Sequence, residues 1–136
     1  MIRELDDRTL VSGQIRPEDV AGLAEQHGIT MLVNNRPDGE DNGQPLAADI
    51  EQAAELAGIG YRFVPIVRGI GPADVEAMQA ALGEAGDGKL LAFCRSGTRS
   101  ALTLALTMRA AGVSREEIER RVTEAGFDAA PIAHLL

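Results

Sequence analysis

The sequence predicts an α/β protein of three layers, α/β/α, in which helices cover both faces of a mainly parallel central sheet. Short apolar runs alternate with helical patterns along the 136 residues, as in proteins built from strand–helix–strand units. The length suits one domain, and no repeat or linker divides the chain, so we expect a single domain over residues 1–136. Hydrophobic residues form 45% of the chain and aromatic residues only 3%, so the core has to be built mainly from aliphatic side chains.

The N-terminal half is expected to form a strand, a helix, a strand, a polar loop and a helix, at residues 8–15, 17–28, 29–34, 35–43 and 47–57. Gly13 weakens the first strand. Pro17 suits the first turn of a helix, where its missing N–H is not needed, and Gly28 suits the helix end. The apolar run that precedes the polar loop is typical of a buried strand.

The C-terminal half is expected to form a strand, a helix, a strand and two further helices, at residues 61–67, 73–84, 89–93, 100–111 and 114–125, with a short packed helix in the tail 127–136. Pro65 shortens the first of these strands because proline cannot donate to the ladder. The segment 100–111 is apolar on nearly all sides, which indicates a buried central helix. Ser114 and Glu117 match a capping box at the start of the next helix.

Charge and composition exclude several classes of function. The formal net charge of −8 disfavours nucleic acid and anionic membranes as partners, and no segment has the apolar length of a membrane span. A single cysteine cannot form an internal disulfide, and the N-terminus does not resemble a secretory signal, so we expect a cytoplasmic protein. His27 and His134 are far apart and have no ligand-spaced neighbours, so we expect neither a metal nor a cofactor. The sequence does not indicate an oligomeric state.

The loop at residues 94–100 (Cys-Arg-Ser-Gly-Thr-Arg-Ser) carries the strongest chemical signal. It joins a predicted strand to a predicted helix, so backbone N–H groups and the positive end of the helix dipole favour an anion there. A helix N-terminus and nearby arginines lower the pKa of a thiol, and the thiolate is the nucleophilic form. Cys94 is therefore the expected nucleophile.

The other residues of this loop have expected roles around the same anion. Gly97 can adopt a positive φ, which lets the loop curl so that successive N–H groups face inward. Arg99 would present a planar, two-pronged donor to an oxyanion. Ser100 could donate to the thiolate and so stabilise it as a leaving group. The residues expected to bind the anion directly are Arg95, Ser96, Gly97 and Thr98.

The polar loop at 35–43 is expected at the same edge of the sheet, because the carboxyl ends of parallel strands meet there. Asp38, on a Pro-Gly turn, is the better candidate for a general acid, although aspartate is also common in turns. Asp74 is a second candidate, but a helix dipole also favours an acid in a first turn. Arg36 could steer an anionic substrate or pair with the acids Glu40 and Asp41.

These motifs resemble known families. The loop at 94–100 is similar to the active-site loops of cysteine-dependent phosphatases and of rhodanese-type sulfurtransferases. Together with the strings at 12–20 and 34–40, it resembles a bacterial phosphatase-fold domain that also occurs fused to beta-lactamase-like hydrolases. The resemblance covers residues 3–111 and implies a fold similar to dual-specificity protein tyrosine phosphatases. Two features depart from the phosphatase signature: four residues, not five, separate Cys94 from Arg99, and Phe93 stands in place of a histidine.

Three functions follow from the loop and the resemblance. The first is a cysteine phosphatase that hydrolyses phosphate monoesters through a phosphocysteine intermediate. Its substrate would be a phosphorylated protein or a small phosphate ester, and it would resemble a protein tyrosine phosphatase or a dual-specificity phosphatase. The second is a rhodanese-type sulfurtransferase that carries a persulfide on Cys94, which the shorter loop favours and which needs no general acid. The third is a module that binds phosphorylated ligands with little turnover.

Overall fold

The structure, a computed structural model, describes all 136 residues. Its strands are β1 (Ile2–Glu4), β2 (Thr9–Ser12), β3 (Ile29–Asn34), β4 (Gly60–Phe63) and β5 (Lys89–Phe93). Its helices are α1 (Val20–His27), α2 (Ala47–Ala57), α3 (Pro72–Glu84), α4 (Thr98–Ala110) and α5 (Arg115–Glu124), with single 3-10 segments at Pro17–Asp19 and Ala130–Leu135. None of the helices combines the length and the apolar character needed to cross a membrane.

The five strands form one sheet in the order β1-β2-β5-β3-β4. All neighbouring pairs are parallel except β1 and β2, which are antiparallel. The predicted mainly parallel sheet is therefore confirmed. The sequence does not reveal β1, because its three residues are exposed or half-buried and show no apolar pattern.

Alternate residues of the central strands supply two separate cores. In β5, Leu90 and Ala92 join the core formed with α3, α4 and α5, whereas Leu91 and Phe93 join the core formed with α1 and α2. This period-two division buries both faces of the strand. It confirms the predicted layers, with helices on both sides of the sheet. The helix α4 is buried from Ser100 to Met108, as its uniformly apolar sequence predicts.

Element boundaries differ from the prediction where glycine or proline acts locally. β2 ends at Ser12, three residues early, because the next residue, Gly13, lies against the cysteine loop. Pro17 opens a 3-10 turn, and the α-helix starts only at Val20. Gly97 adopts a φ of 95° and directly precedes α4, which therefore starts two residues earlier than predicted.

Candidate active site

Cys94 follows the last residue of β5 and lies beneath the loop that leads into α4. Its residue surface is only 1% exposed. The Gly97 N–H donates to Cys94 Sγ at 3.1 Å, and the Cys94 N–H donates to the Ser12 carbonyl at 3.4 Å. The sulfur therefore lies within the turn of the loop, with a backbone N–H directed at it.

The loop carries a series of backbone donors that make no hydrogen bond within the protein. The exception is the Gly97 N–H, which donates to the Cys94 sulfur. The N–H groups without a protein acceptor belong to Arg95, Ser96, Thr98, Arg99 and Ser100. Consecutive free N–H groups at a helix N-terminus are a common setting for anion binding. The predicted anion-binding residues thus come together around Cys94, and the exposed Ser96 and Thr98 hydroxyls lie 3.1 Å apart.

Close packing at two glycines, Gly13 and Gly97, restricts the shape of the cysteine loop. A Cβ on Gly13 would lie 2.9 Å from the Arg95 carbonyl oxygen, so a side chain there would displace the loop. The Gln14 N–H donates to the same carbonyl at 3.3 Å. On the other side, a Cβ on Gly97 would lie 3.1 Å from the Phe127 ring, at a backbone φ that already favours glycine.

Arg99 is held by a carboxylate and a carbonyl from two other loops. Its Nη1 and Nη2 donate to the two carboxylate oxygens of Glu40 at 2.8 and 2.9 Å, and Nη1 also donates to the Ile66 carbonyl at 2.8 Å. The Glu40 contact is the main cause that raises the pKa of Arg99, and the charge of neighbouring Cys94 contributes. In return, hydrogen bonds from Arg99 and then from Arg36 lower the pKa of Glu40 to about 2.

Arg36 pairs with acids and does not face solvent. Its side chain is 4% exposed and donates to Glu40 at 3.0 Å, to Asp41 at 2.8 Å and to Gln14 Oε1 at 3.1 Å. Of the two predicted alternatives for Arg36, the structure shows the pairing with Glu40 and Asp41. A role in contacting substrate would require this buried network to open.

The two acids therefore tie the polar loop to the cysteine loop. Glu40 bridges Arg36 and Arg99, and Asp41 bridges Arg36 and the exposed Arg95, whose Nε lies 3.3 Å from the Asp41 carboxylate. Two carboxylates thus face three guanidinium groups. The network keeps one excess positive charge beside the free N–H groups of the loop.

Both candidate general acids accept backbone N–H groups at helix N-termini. Asp38 Oδ1 accepts from the Ala47 N–H at 2.8 Å at the start of α2, and Asp74 Oδ2 accepts from the Gly71 N–H at 2.8 Å at the start of α3. Each carboxylate thereby caps a helix N-terminus in the sense that it accepts a backbone N–H that the helix itself leaves without a partner. Asp38 is exposed and lies in the loop that Glu40 and Asp41 anchor to the cysteine loop.

The predicted hydrogen bond from Ser100 to the thiolate is not the one observed. Ser100 is fully buried, and its hydroxyl donates to Asn35 Oδ1 at 2.8 Å. Asn35 Nδ2 in turn donates to the Val64 carbonyl at 2.9 Å. A serine hydroxyl has one proton to donate, so this contact takes the donor that the sequence assigns to Cys94. Ser100 instead joins α4 to the ends of β3 and β4.

An apolar cleft of about 300 Å³ adjoins Thr98 and Arg99. Its walls come from the turn after β4 and from the C-terminal 3-10 segment. Its apolar lining residues are Ile66, Val67, Ile70, Leu102, Ile132 and Leu135. A substrate whose anion occupies the loop can therefore place an apolar group beside Arg99.

Several contacts of the site are not evident in the sequence. Glu40 lies 59 residues from Arg99, and Asn35 lies 65 residues from Ser100. The only local signal is the pair of consecutive acids in a loop that also contains Arg36. Phe127, behind Gly97, stands in the tail and has no chemical signature.

The fold and the cysteine loop define a phosphatase-like α/β class of protein. Residues 1–112 match the family described as "Beta-lactamase hydrolase-like protein, phosphatase-like domain", and the chain belongs to this family. A beta-lactamase hydrolase-like protein of Xylella fastidiosa is 37% identical over 130 residues, which are 93% of this chain and 30% of that protein. The chain spans about three tenths of the length of the curated relatives it matches.

Solved structures share the fold. The crystal structure of a candidate phosphatase from Neisseria meningitidis matches with a TM-score of 0.83 at 35% identity, over 98% of this chain and 94% of that chain. Tk-PTP in its active form matches with a TM-score of 0.74 at 18% identity, over 98% and 91% of the two chains, a likeness of fold alone. The predicted family resemblance is confirmed, and family and fold support a phosphatase domain.

Proposed function

We propose that this chain is a cysteine-dependent phosphatase that hydrolyses phosphate monoesters through a phosphocysteine on Cys94. The observation that carries the proposal is the buried sulfur beneath a loop with five free N–H groups, beside the Arg99 guanidinium. A phosphoryl group has three non-bridging oxygens, and such a loop offers each of them a donor.

The proposed reaction has two steps. The Cys94 thiolate attacks phosphorus, a sulfur–phosphorus bond forms, and the bond from phosphorus to the ester oxygen breaks. A general acid protonates the departing oxygen and becomes a carboxylate. Water then attacks phosphorus, gives a proton to that carboxylate, and breaks the sulfur–phosphorus bond, which releases the Cys94 thiolate and inorganic phosphate. The loop N–H groups and Arg99 stabilise the charge on the equatorial oxygens in both steps.

The proposed substrate class is an aryl phosphate, such as a phosphotyrosine side chain or a small aryl ester. The apolar cleft beside Thr98 and Arg99 supports this choice, since an aromatic ring gains from burial against aliphatic side chains.

The decisive experiment identifies the adduct on Cys94. The protein is mixed with an aryl phosphate under reducing conditions, quenched in acid within the first turnovers and digested, and the peptide that contains Cys94 is weighed by mass spectrometry. We expect a phosphoryl group on Cys94 and release of the phenol. A second sample is treated with thiosulfate in place of the aryl phosphate and digested in the same way. A sulfur adduct on Cys94 in that sample, with no phosphoryl adduct and no phenol release in the first, would assign the loop to sulfur transfer instead.

We propose Asp38 as the general acid, because it is exposed and lies in the loop that is ion-paired to Arg95 and Arg99. In Asp38→Asn the amide oxygen can still accept the Ala47 N–H, so the helix cap survives while the acidic proton is lost. We expect kcat for phenyl phosphate to fall by roughly 10²–10⁴-fold. An aryl phosphate with a more acidic phenol should be affected much less, since its oxygen leaves without protonation.

Asp74→Asn is the matched control for this variant, because Asp74 also caps a helix. It should leave the dependence of kcat on the leaving group as in the original protein. Equal losses of Asp38→Asn on both esters, accompanied by a lower melting temperature, would show that Asp38 acts only as a cap.

A further inference from the structure

We propose that Glu40 is a positioning residue that holds Arg99 with one edge of its guanidinium free for the phosphoryl group. This inference rests on the proposed phosphatase function, and it concerns a residue that the reaction scheme above does not use. It follows from where each donor of Arg99 is directed.

A guanidinium carries five N–H donors in a fixed plane. Glu40 takes one from Nη1 and one from Nη2, in the end-on bidentate arrangement, and the Ile66 carbonyl takes the second from Nη1. The two donors that have no oxygen acceptor in the protein are Nε–H and the second Nη2–H, and hydrogen bonding with the Cys94 sulfur is among the contacts that raise the pKa of Arg99. These two donors lie parallel on the side edge of the group, which is the geometry that binds two oxygens of a phosphate.

The Arg99 guanidinium lies beside the nucleophile. Arg99 is five residues after Cys94 and in the first turn of α4, and the sulfur is close enough for its charge to raise the pKa of Arg99. With its other three donors occupied by Glu40 and Ile66, the side chain cannot rotate without breaking a bidentate ion pair. The fork is therefore set in place before substrate arrives, so little reorganisation is needed during the reaction.

Glu40 is itself held firmly. Its side chain is 27% exposed, and one oxygen also accepts from the buried Arg36. Its backbone N–H donates to Gln44 Oε1 at 3.0 Å, and Gln44 Nε2 donates back to the Pro37 carbonyl at 2.8 Å. These hydrogen bonds within the polar loop fix the position of Glu40, and Glu40 in turn fixes the position of Arg99.

The test compares Glu40→Gln with the original protein. An amide offers only one acceptor oxygen and directs an NH₂ group at the guanidinium, so the bidentate pair is lost. We expect kcat for an aryl phosphate to fall roughly 10–100-fold with a much smaller change in KM, because the fork matters most in the transition state. Inhibition by orthovanadate, which mimics the transition state, should weaken in parallel with kcat, whereas inhibition by inorganic phosphate should change little.

The pH profile separates positioning from acid catalysis. Hydrogen bonds from Arg99 and Arg36 lower the pKa of Glu40 to about 2, so this group stays ionised throughout the neutral range. Glu40→Gln should therefore lower the pH profile of kcat without changing its shape. Loss of the alkaline limb would identify Glu40 as the proton donor and overturn the positioning role.

Asp41→Asn is the matched control. Asp41 also pairs with Arg36, and its replacement by asparagine also removes one negative charge from the polar loop. Unlike Glu40, Asp41 does not contact Arg99. Its effect on kcat should be clearly smaller than that of Glu40→Gln. Equal effects, or faster turnover and tighter phosphate binding in Glu40→Gln, would overturn the inference. An original protein that shows no turnover would instead contradict the proposed function.

Discussion

Replacing Cys94 with serine is expected to abolish hydrolysis of an aryl phosphate, by on the order of 10⁴-fold or more. The serine hydroxyl is smaller than the thiol and is not ionised near neutral pH, so the loop loses its nucleophile while its donors stay in place. The Gly97 N–H that now contacts Sγ can still donate to the serine oxygen. Steady-state release of the phenol, followed in the two proteins side by side, measures the effect.

Anion binding shows whether the loop of Cys94→Ser is intact. The five free N–H groups and Arg99 remain, so inorganic phosphate should bind Cys94→Ser about as well as it binds the original protein. Calorimetric titration and the thermal midpoint report this directly. Turnover by Cys94→Ser above about one per cent of the original rate, with the fold retained, would exclude Cys94 as the nucleophile.

The central strands were predictable because the pattern that indicates them lies within their own residues. Residues of β3 and β5 are apolar on both faces, and they divide between two cores with the period of a strand. The edge strand β1 was not predictable, since its residues are not buried and it forms only through pairing with β2. Helix starts were predictable to within a few residues, and the exact start of α4 depends on the positive φ of Gly97.

The nucleophile and its loop were predictable as candidates, because the chemistry and the spacing are contiguous in sequence. The partners of that loop were not, because ion pairs form between segments that only the fold brings together. Pairing of Arg36 with Glu40, four residues away, was one of two alternatives that the sequence left open, and the contact of Glu40 with Arg99, which spans 59 residues, was not foreseen. Ser100 was assigned to the thiolate for its proximity in sequence, but its hydroxyl donates to Asn35.

Arg99→Lys is expected to lower kcat by roughly 10²–10³-fold, the size of effect seen when an oxyanion donor is lost. Lysine keeps the positive charge, but its ammonium cannot satisfy Glu40 and also present two parallel donors to a phosphoryl group. If charge alone were required, lysine would retain most of the activity. The size of the loss in kcat therefore reports what the planar pair of N–H donors contributes beyond the positive charge.

Arg62→Lys is the matched control, since it makes the same chemical change at an exposed arginine that pairs with Glu84, and no residue of the cysteine loop takes part in that pair. We expect it to keep the kcat of the original protein. Combining Arg99→Lys with Glu40→Gln gives a further measurement: if Glu40 acts only through Arg99, the double variant should lose little more than Arg99→Lys alone. Losses that multiply would mean that Glu40 and Arg99 contribute independently, and Arg99→Lys with unchanged kcat would remove the guanidinium from the mechanism.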